Sequence, residues 1–315
     1  AAGSGRIIAN MMTKDGRYTR SFAAALTAGA AVIGPIIPPS IPMVLYALVS
    51  GASIGYLFLA GIVPGLLMGL MLMVVVVVMS RRRGFPVEEP VPLREIPGLT
   101  FRSFPALMMP VVLLGGIYSG IVTPTEAAAV AAAYALLISV VLYRAVSLGT
   151  LYAGLVRGTR SSIAIGMLIA GALVFNYVVT AENIPQTLRL FLADYNLTPL
   201  QFLLLVNVIL LLLGALLEGT AILLIIVPVF LPTANALGID PVHFGVVAVV
   251  NIMIGLVTPP YGLLIFVMQS ITRAPLRAIF RDLIPFIATL LAALAIITLF
   301  PDLVLWLPRQ FGYSG

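Results

Sequence analysis

Long apolar runs, separated by short polar or basic stretches, set the pattern of this chain. A run of about twenty apolar residues has the length of a membrane-spanning helix. The pattern predicts a broken span at 22–49, a continuous span at 54–79, shorter spans at 104–119 and 124–143, and another at 161–181. The run 198–238 is interrupted by Leu217-Glu218-Gly219-Thr220, and a broken span at 244–270 and a last helix at 280–300 follow. Between Ser21 and Ser80 there is no charged residue. The predicted fold class is an all-α polytopic membrane protein, because helices satisfy their own backbone groups in lipid.

Basic residues orient these spans, since cytoplasmic loops collect lysine and arginine. Arg81, Arg82, Arg83, Arg94 and Arg102 mark the stretch 81–103 as a cytoplasmic linker. Following the chain in both directions from there, Arg6, Lys14, Arg17 and Arg20 fall inside. Arg144, Arg157 and Arg160 do so too, as do Arg273, Arg277 and Arg281. The segment 182–197 and the C-terminus fall outside. The run 198–238 has two readings that charge does not separate. It is a pair of full spans with Glu218 at a wet turn, or a re-entrant hairpin with Glu218-Gly219-Thr220 at its tip.

Two Pro-Pro pairs interrupt charge-free apolar stretches, in GPIIPPSIPMVLYA (34–47) and GLVTPPYGLLIFV (255–267). Proline removes a backbone donor and clashes with the preceding turn. Broken backbone at bilayer depth persists only where protein or a polar cavity surrounds it. Each pair starts four residues after a glycine, Gly34 and Gly255. Gly16 precedes the first of these by 18 residues and Gly238 precedes the second by 17. In the predicted topology the two broken spans run in opposite directions. Similar sequence in opposite orientation is an inverted repeat, whose broken helices form the binding site in secondary transporters.

A broken helix exposes N–H groups at one half and carbonyls at the other. The N–H ends suit anions, and the carbonyls and nearby hydroxyls suit a hard alkali cation. Ser40 follows the first pair and Thr258 precedes the second, while Gly219 and Thr220 offer open backbone and a hydroxyl at the interruption. The alternative for Ser40 and Thr258 is a hydroxyl bonded to its own helix. The spans hold no cluster of carboxylates or histidines, which speaks for neutral-oxygen cation coordination over a proton relay. Thr123-Pro124-Thr125-Glu126 reads as a capping box with proline at the first helical position. His243, beside Pro241, reads as a surface loop residue.

Composition narrows the class further. The chain is 61% hydrophobic and 9% charged, against roughly a quarter charged in soluble domains. It has no cysteine and one histidine, which excludes disulfides and multi-histidine metal sites. The net charge of +6 lies in loops and reads as a topology determinant, with no nucleic acid as partner. Isolated polar points rather than a continuous polar lining speak against an ion channel, the alternative kept beside an anion transporter without a binding protein. No nucleophile and base face each other as an enzyme requires. Ala1-Ala2-Gly3-Ser4 carries no initiator methionine and no signal pattern, so the chain is expected to be a fragment lacking its N-terminal part.

Four stretches together resemble the large membrane subunit of TRAP (tripartite ATP-independent periplasmic) transporters. They are GPIIPPSIPMVLYA (34–47), GGIYSGIVTPTEAAAVAAAYAL (115–136), PVFLPTANALGIDPVHFG (228–245) and GLVTPPYG (255–262), spread over essentially the whole chain. The resemblance implies a sodium-coupled importer of an organic anion, a dicarboxylate or a sialic acid, in the bacterial inner membrane. It implies no cofactor beyond coupling sodium ions. It implies a small four-helix membrane subunit, a periplasmic substrate-binding protein and the lipid bilayer as partners, with an elevator-type movement. It favours the re-entrant hairpin for 198–238. The implied layout places 1–53 in the transport domain, as the end of a first hairpin and the first broken helix. Residues 54–181 form scaffold, 182–197 an amphipathic arm helix, 198–272 the second hairpin and broken helix, and 273–315 a last scaffold helix and tail. Substrate roles carry over to Pro38, Pro39, Ser40, Thr220, Pro259 and Pro260. Sodium roles carry over to Gly34, Ser40, Gly219, Thr220 and Thr258.

Overall fold

The computed structural model describes residues 2–16, 18–85, 92, 94–144, 146–193 and 197–315. Among them there is no strand, and five helices are long and apolar enough to cross a membrane. Packing divides the chain into two compact units, one of residues 1–86 and 172–315 and one of residues 87–171.

The larger unit opens with α1 (Ala2–Thr13) and α2 (Arg20–Ala31), which Thr19 caps by accepting from the Phe22 N–H. After the first break, α3 (Ile41–Ser50) starts at the N-cap Ser40 and ends at Gly51 in the left-handed region, φ 72°. Next comes α4 (Ile54–Arg83), which leans on the break through glycine. A Cβ at Gly61 would lie 2.5 Å from the Ile36 carbonyl oxygen, so only glycine fits there. The arginines 81–83 form the last turn of α4 rather than the start of a linker, where their charge complements the helix dipole. Arg83 also bonds the part-buried Asp282 at 2.7 Å and lies over the Phe22 ring. Part of the expected linker, 86–91 and 93, lies outside the described residues, as does Arg17.

Later in the same unit come α8 (Ile184–Ala193) and α9 (Pro199–Gly214), the latter opened by a Thr198/Gln201 capping box. A turn at 215–218 leads to α10 (Gly219–Ala221), a π-helical stretch (Ile222–Ile226) and α11 (Val227–Ala236), one continuous limb. Then follow α12 (Pro241–Gly255), the second break, α13 (Leu263–Thr272), α14 (Leu276–Leu299) and α15 (Pro301–Gln310). The tail thus holds a helix the apolar pattern does not predict, because Asp302, Pro308 and Arg309 dilute its hydropathy. Its Pro301 opens it at the first turn.

The halves of the two broken helices pair crosswise. α2 packs on α13, and α3 packs on α12. α9 packs on α12, and α14 on α2 and α4. Many of the most exposed side chains are apolar, such as Leu66, Leu70, Met73 and Val74 along α4. That is the expected outer surface of a helix in lipid, where tails replace water.

The smaller unit packs α5 (Ile96–Tyr118) against α6 (Pro124–Leu137), whose end passes into a π-helical turn (Ile138–Leu142). The Tyr134 hydroxyl donates to the Pro105 carbonyl at 2.8 Å. The predicted box at Thr123 is complete: Thr123 accepts from the Glu126 N–H, and the Glu126 carboxylate accepts from the Thr123 N–H. α7 (Leu148–Ala181) runs on from this unit and gives its last turns to the larger one. It starts well before the expected 161. Arg157 and Arg160 read as loop, yet no proline breaks 148–160, and long basic side chains tolerate a membrane edge by reaching outward.

Candidate substrate and cation site

Each break is a short irregular stretch held by local bonds. At the first, Ile33 accepts from the N–H groups of Ile36 and Ile37, and the Ser40 hydroxyl donates to the Pro35 carbonyl. Ser40 also accepts from the Met43 N–H at 3.2 Å. At the second, the Leu264 N–H reaches back across the loop to the Leu256 carbonyl at 3.0 Å. The Thr258 hydroxyl donates to the Ile254 carbonyl at 2.8 Å. The Pro38–Pro39 and Pro259–Pro260 bonds are both cis. Gly34, Pro39, Pro259 and Pro260 are exposed, whereas Pro38 and Ser40 are buried.

The half-helices beside the two breaks pack in pairs. α2 ends at the first break and α13 begins at the second, and the two pack together. α3 begins at the first break and α12 ends at the second, and these also pack. The Tyr46 hydroxyl donates to the Pro241 carbonyl at 2.6 Å, tying α3 to the start of α12. Each half-helix that borders one break is thus packed on a half-helix that borders the other.

The interruption at Gly219 joins the second break. A Cβ at Gly219 would lie 2.8 Å from Ile252 Cγ2. A Cβ at Gly255 would lie 2.6 Å from the Gly214 backbone. The turn between α9 and α10 is thus pressed onto the last turns of α12, just before Thr258. Glu218 is exposed; its carboxylate caps α10 by accepting from the Ala221 N–H at 3.1 Å and takes the Thr220 hydroxyl at 2.9 Å. Glu218 acts as a turn-capping acid.

The hydroxyls of Ser40, Thr220 and Thr258 all spend their proton inside the protein. For Ser40 and Thr258 this is the self-capping alternative raised by the sequence. It does not end their chemistry: a hydroxyl that donates keeps acceptor lone pairs. Thr258 and Thr220 keep both, and Ser40 keeps one after taking the Met43 N–H. A hydroxyl oxygen that keeps a lone pair is the kind of hard, neutral donor an alkali cation takes.

Sequence reasoning missed a buried polar ladder behind this site. The Asn251 amide donates to the Asn207 carbonyl at 2.8 Å and to Asn207 Oδ1 at 2.7 Å. The Asn207 amide donates to Thr298 Oγ1 at 2.9 Å. α9, α12 and α14 are thereby stitched together. The signal was available, since an amide in an apolar run is a polar group seeking a partner in lipid. His243 corrects an expectation. It is 1% exposed, sits in the first turn of α12, and Nε2 meets the Ile297 carbonyl at 2.9 Å. Asp240 is the N-cap and Pro241 the first residue, so the proline that suggested a loop begins the helix instead. Asp240 also accepts from the Tyr313 hydroxyl at 3.0 Å. Burial, and then this carboxylate, push the Tyr313 phenol upward.

Comparison with known proteins fits this arrangement. Residues 1–303 match the model of the family described as tripartite ATP-independent periplasmic transporter, DctM component. The C4-dicarboxylate TRAP transporter large permease protein DctM of Pseudomonas aeruginosa is 42% identical over 313 residues, covering 99% of this chain and 73% of that protein. The sialic acid TRAP transporter large permease protein SiaM of Vibrio cholerae is 41% identical over 319 residues, covering 100% of this chain and 74% of its own length. The 2,3-diketo-L-gulonate TRAP transporter large permease protein YiaN of Escherichia coli is 34% identical over 294 residues, covering 93% of this chain and 69% of its own. These relatives are permeases rather than enzymes, and the family match together with the apolar helices makes the chain a multi-pass inner-membrane protein. On the match of family model and relatives alike, the chain belongs to the DctM family of tripartite ATP-independent periplasmic transporters.

Proposed function

We propose that this permease imports an organic anion by coupling it to sodium at the two backbone breaks. The observation that carries the reading is that half-helices bordering one break pack on half-helices bordering the other, with the turn between α9 and α10 pressed onto the end of α12 at the second break. Sodium would be held by Gly34 and Ser40 in the first repeat and by Gly219, Thr220 and Thr258 in the second. A carboxylate would lie against the half-helix N-termini next to Pro38, Pro39, Ser40, Thr220, Pro259 and Pro260, where N–H groups and dipole favour an anion. The substrate is a small organic carboxylate, in keeping with the dicarboxylate and sialic acid named for relatives. A periplasmic binding protein delivers it, and a small four-helix membrane subunit completes the permease. Residues 1–53 and 198–272 move as a transport domain against scaffold formed by 54–181 and 273–315.

The test is uptake of a labelled carboxylate into proteoliposomes holding the complete transporter, with its binding protein supplied. Saturable uptake that requires an inward sodium gradient supports the proposal. Uptake that persists after the gradient is collapsed with a sodium ionophore, or flux without saturation as in a channel, overturns it.

A further inference from the structure

The larger unit carries a cavity of about 360 Å³ that is lined by none of the residues of the two breaks. It lies where α8 meets α11, beside the start of α9, and is lined by Arg189, Leu192, Leu197, Phe202, Thr233 and Leu237 among others. We propose that this cavity binds a membrane phospholipid, with the headgroup phosphate held by Arg189 and Thr233 and an acyl chain along Leu192, Leu197, Phe202 and Leu237.

Two unspent polar groups point to an anion. Thr233 is 3% exposed, yet its hydroxyl has no hydrogen-bond partner among the described residues. A buried hydroxyl left unpaired carries a desolvation cost that a ligand oxygen relieves. Among the described residues Arg189 is the one charged residue of the lining, and no carboxylate among them forms an ion pair with it. A guanidinium presents a planar fork of donors that matches phosphate. A comparable cavity on the other side of α9, of about 380 Å³, makes the contrast. Its Asp240, His243, Thr298 and Arg309 are each bonded within the protein. That cavity, unlike the first, shows no buried side chain without a partner among its described residues.

The walls and the position point to a lipid rather than a free anion. Apart from Arg189 and Thr233, the described lining residues are all apolar, which suits an acyl chain and not a hydrated ion. α8 follows directly on the end of the membrane-length helix α7, so it lies at the edge of the bilayer. Leu204, Val208 and Leu212 on the neighbouring α9 are exposed at successive turns, giving the second acyl chain an apolar surface to follow. A cation at the water edge above an apolar slot is the arrangement that an anionic headgroup and its tail require.

The experiment is native mass spectrometry of the intact transporter released from detergent, scored by retained lipid. Wild type incubated with palmitoyl-oleoyl phosphatidylglycerol is expected to keep one tightly held copy, and incubated with the matching diacylglycerol to keep none. Inorganic phosphate at millimolar concentration is expected not to displace the phospholipid. Arg189→Gln should cut the retained fraction about tenfold, as befits loss of a charge-assisted hydrogen bond. Thr233→Val should cut it about threefold, and Arg189→Lys, which keeps the charge and loses the planar fork, should fall between wild type and Arg189→Gln. Arg309→Gln, in the neighbouring cavity, should change nothing. Equal retention by wild type, Arg189→Gln and Thr233→Val overturns the proposal. Equal retention of diacylglycerol removes the phosphate from it, and displacement by inorganic phosphate means that the cavity takes a soluble anion. The readout is bound lipid, so its failure is separate from any failure of sodium coupling.

Discussion

A methyl group at Gly255 tests whether the turn between α9 and α10 is locked to the second break. The added Cβ would lie 2.6 Å from two backbone atoms of Gly214 and 2.9 Å from the Gly214 carbonyl oxygen. Backbone cannot rotate out of the way as a side chain can, so α9 must withdraw by several tenths of an ångström. The withdrawal stretches the bonds from Asn251 to Asn207, now 2.8 and 2.7 Å. Overpacking of this kind costs about 1–3 kcal/mol, and two weakened bonds in a membrane protein add about 1 kcal/mol. Alanine in a helix returns about 1 kcal/mol relative to glycine, leaving a net loss of about 1–3 kcal/mol. Gly34 is the matched glycine of the first repeat and serves as the control. A Cβ there meets only the Ala31 carbonyl, at 3.6 Å, which is ordinary contact, and Gly34→Ala should shift stability by less than about 0.5 kcal/mol. The assay is thermal unfolding of the purified transporter in detergent, paired with uptake in proteoliposomes. Equal melting temperatures for the Gly255→Ala variant and wild type would refute the lock.

Thr258→Ala and Thr220→Ala should each raise the sodium concentration giving half-maximal uptake, with folded yield kept; unchanged sodium dependence in both moves the cation elsewhere. Asn251→Ala removes both bonds to Asn207 and should lower stability by about 1 kcal/mol, read by thermal unfolding; a variant as stable as wild type means that the ladder holds nothing together. A cysteine at Arg94, in a chain with none of its own, should react with an impermeant thiol reagent only from the cytoplasmic side. Labelling from the periplasm inverts the topology drawn from the arginines.

The spans and both breaks were legible because they depend on local chemistry. Apolar runs must cross lipid, and a Pro-Pro pair stops a helix wherever it stands. The Thr123 box was legible for the same reason, since its partners lie three residues apart. What escaped depends on contacts between distant segments. Gly34 and Gly255 look equivalent in sequence, and only the approach of Gly214 makes one of them crowded. Asn207 and Asn251 are single letters in apolar runs until α9 and α12 pack. His243 was misplaced because Pro241 suggested a loop, although Asp-Pro is also how a capped helix begins. The early start of α7 was hidden by arginines that a helix edge can carry. The α15 tail was hidden by polar residues that dilute its apolar face.

The central claim, that broken backbone is the transport site, is tested most directly by replacing Pro259 and Pro260 together with alanine. Alanine restores two N–H donors and removes the ring clash, so α12 can continue toward α13. Backbone groups that would hold cation and carboxylate then pair with each other instead. The measurement is sodium-driven carboxylate uptake by the complete transporter in proteoliposomes, with the binding protein supplied and folded yield checked by gel filtration. The account predicts a well-folded variant with uptake lost. Near-normal, sodium-dependent uptake by that variant would contradict it.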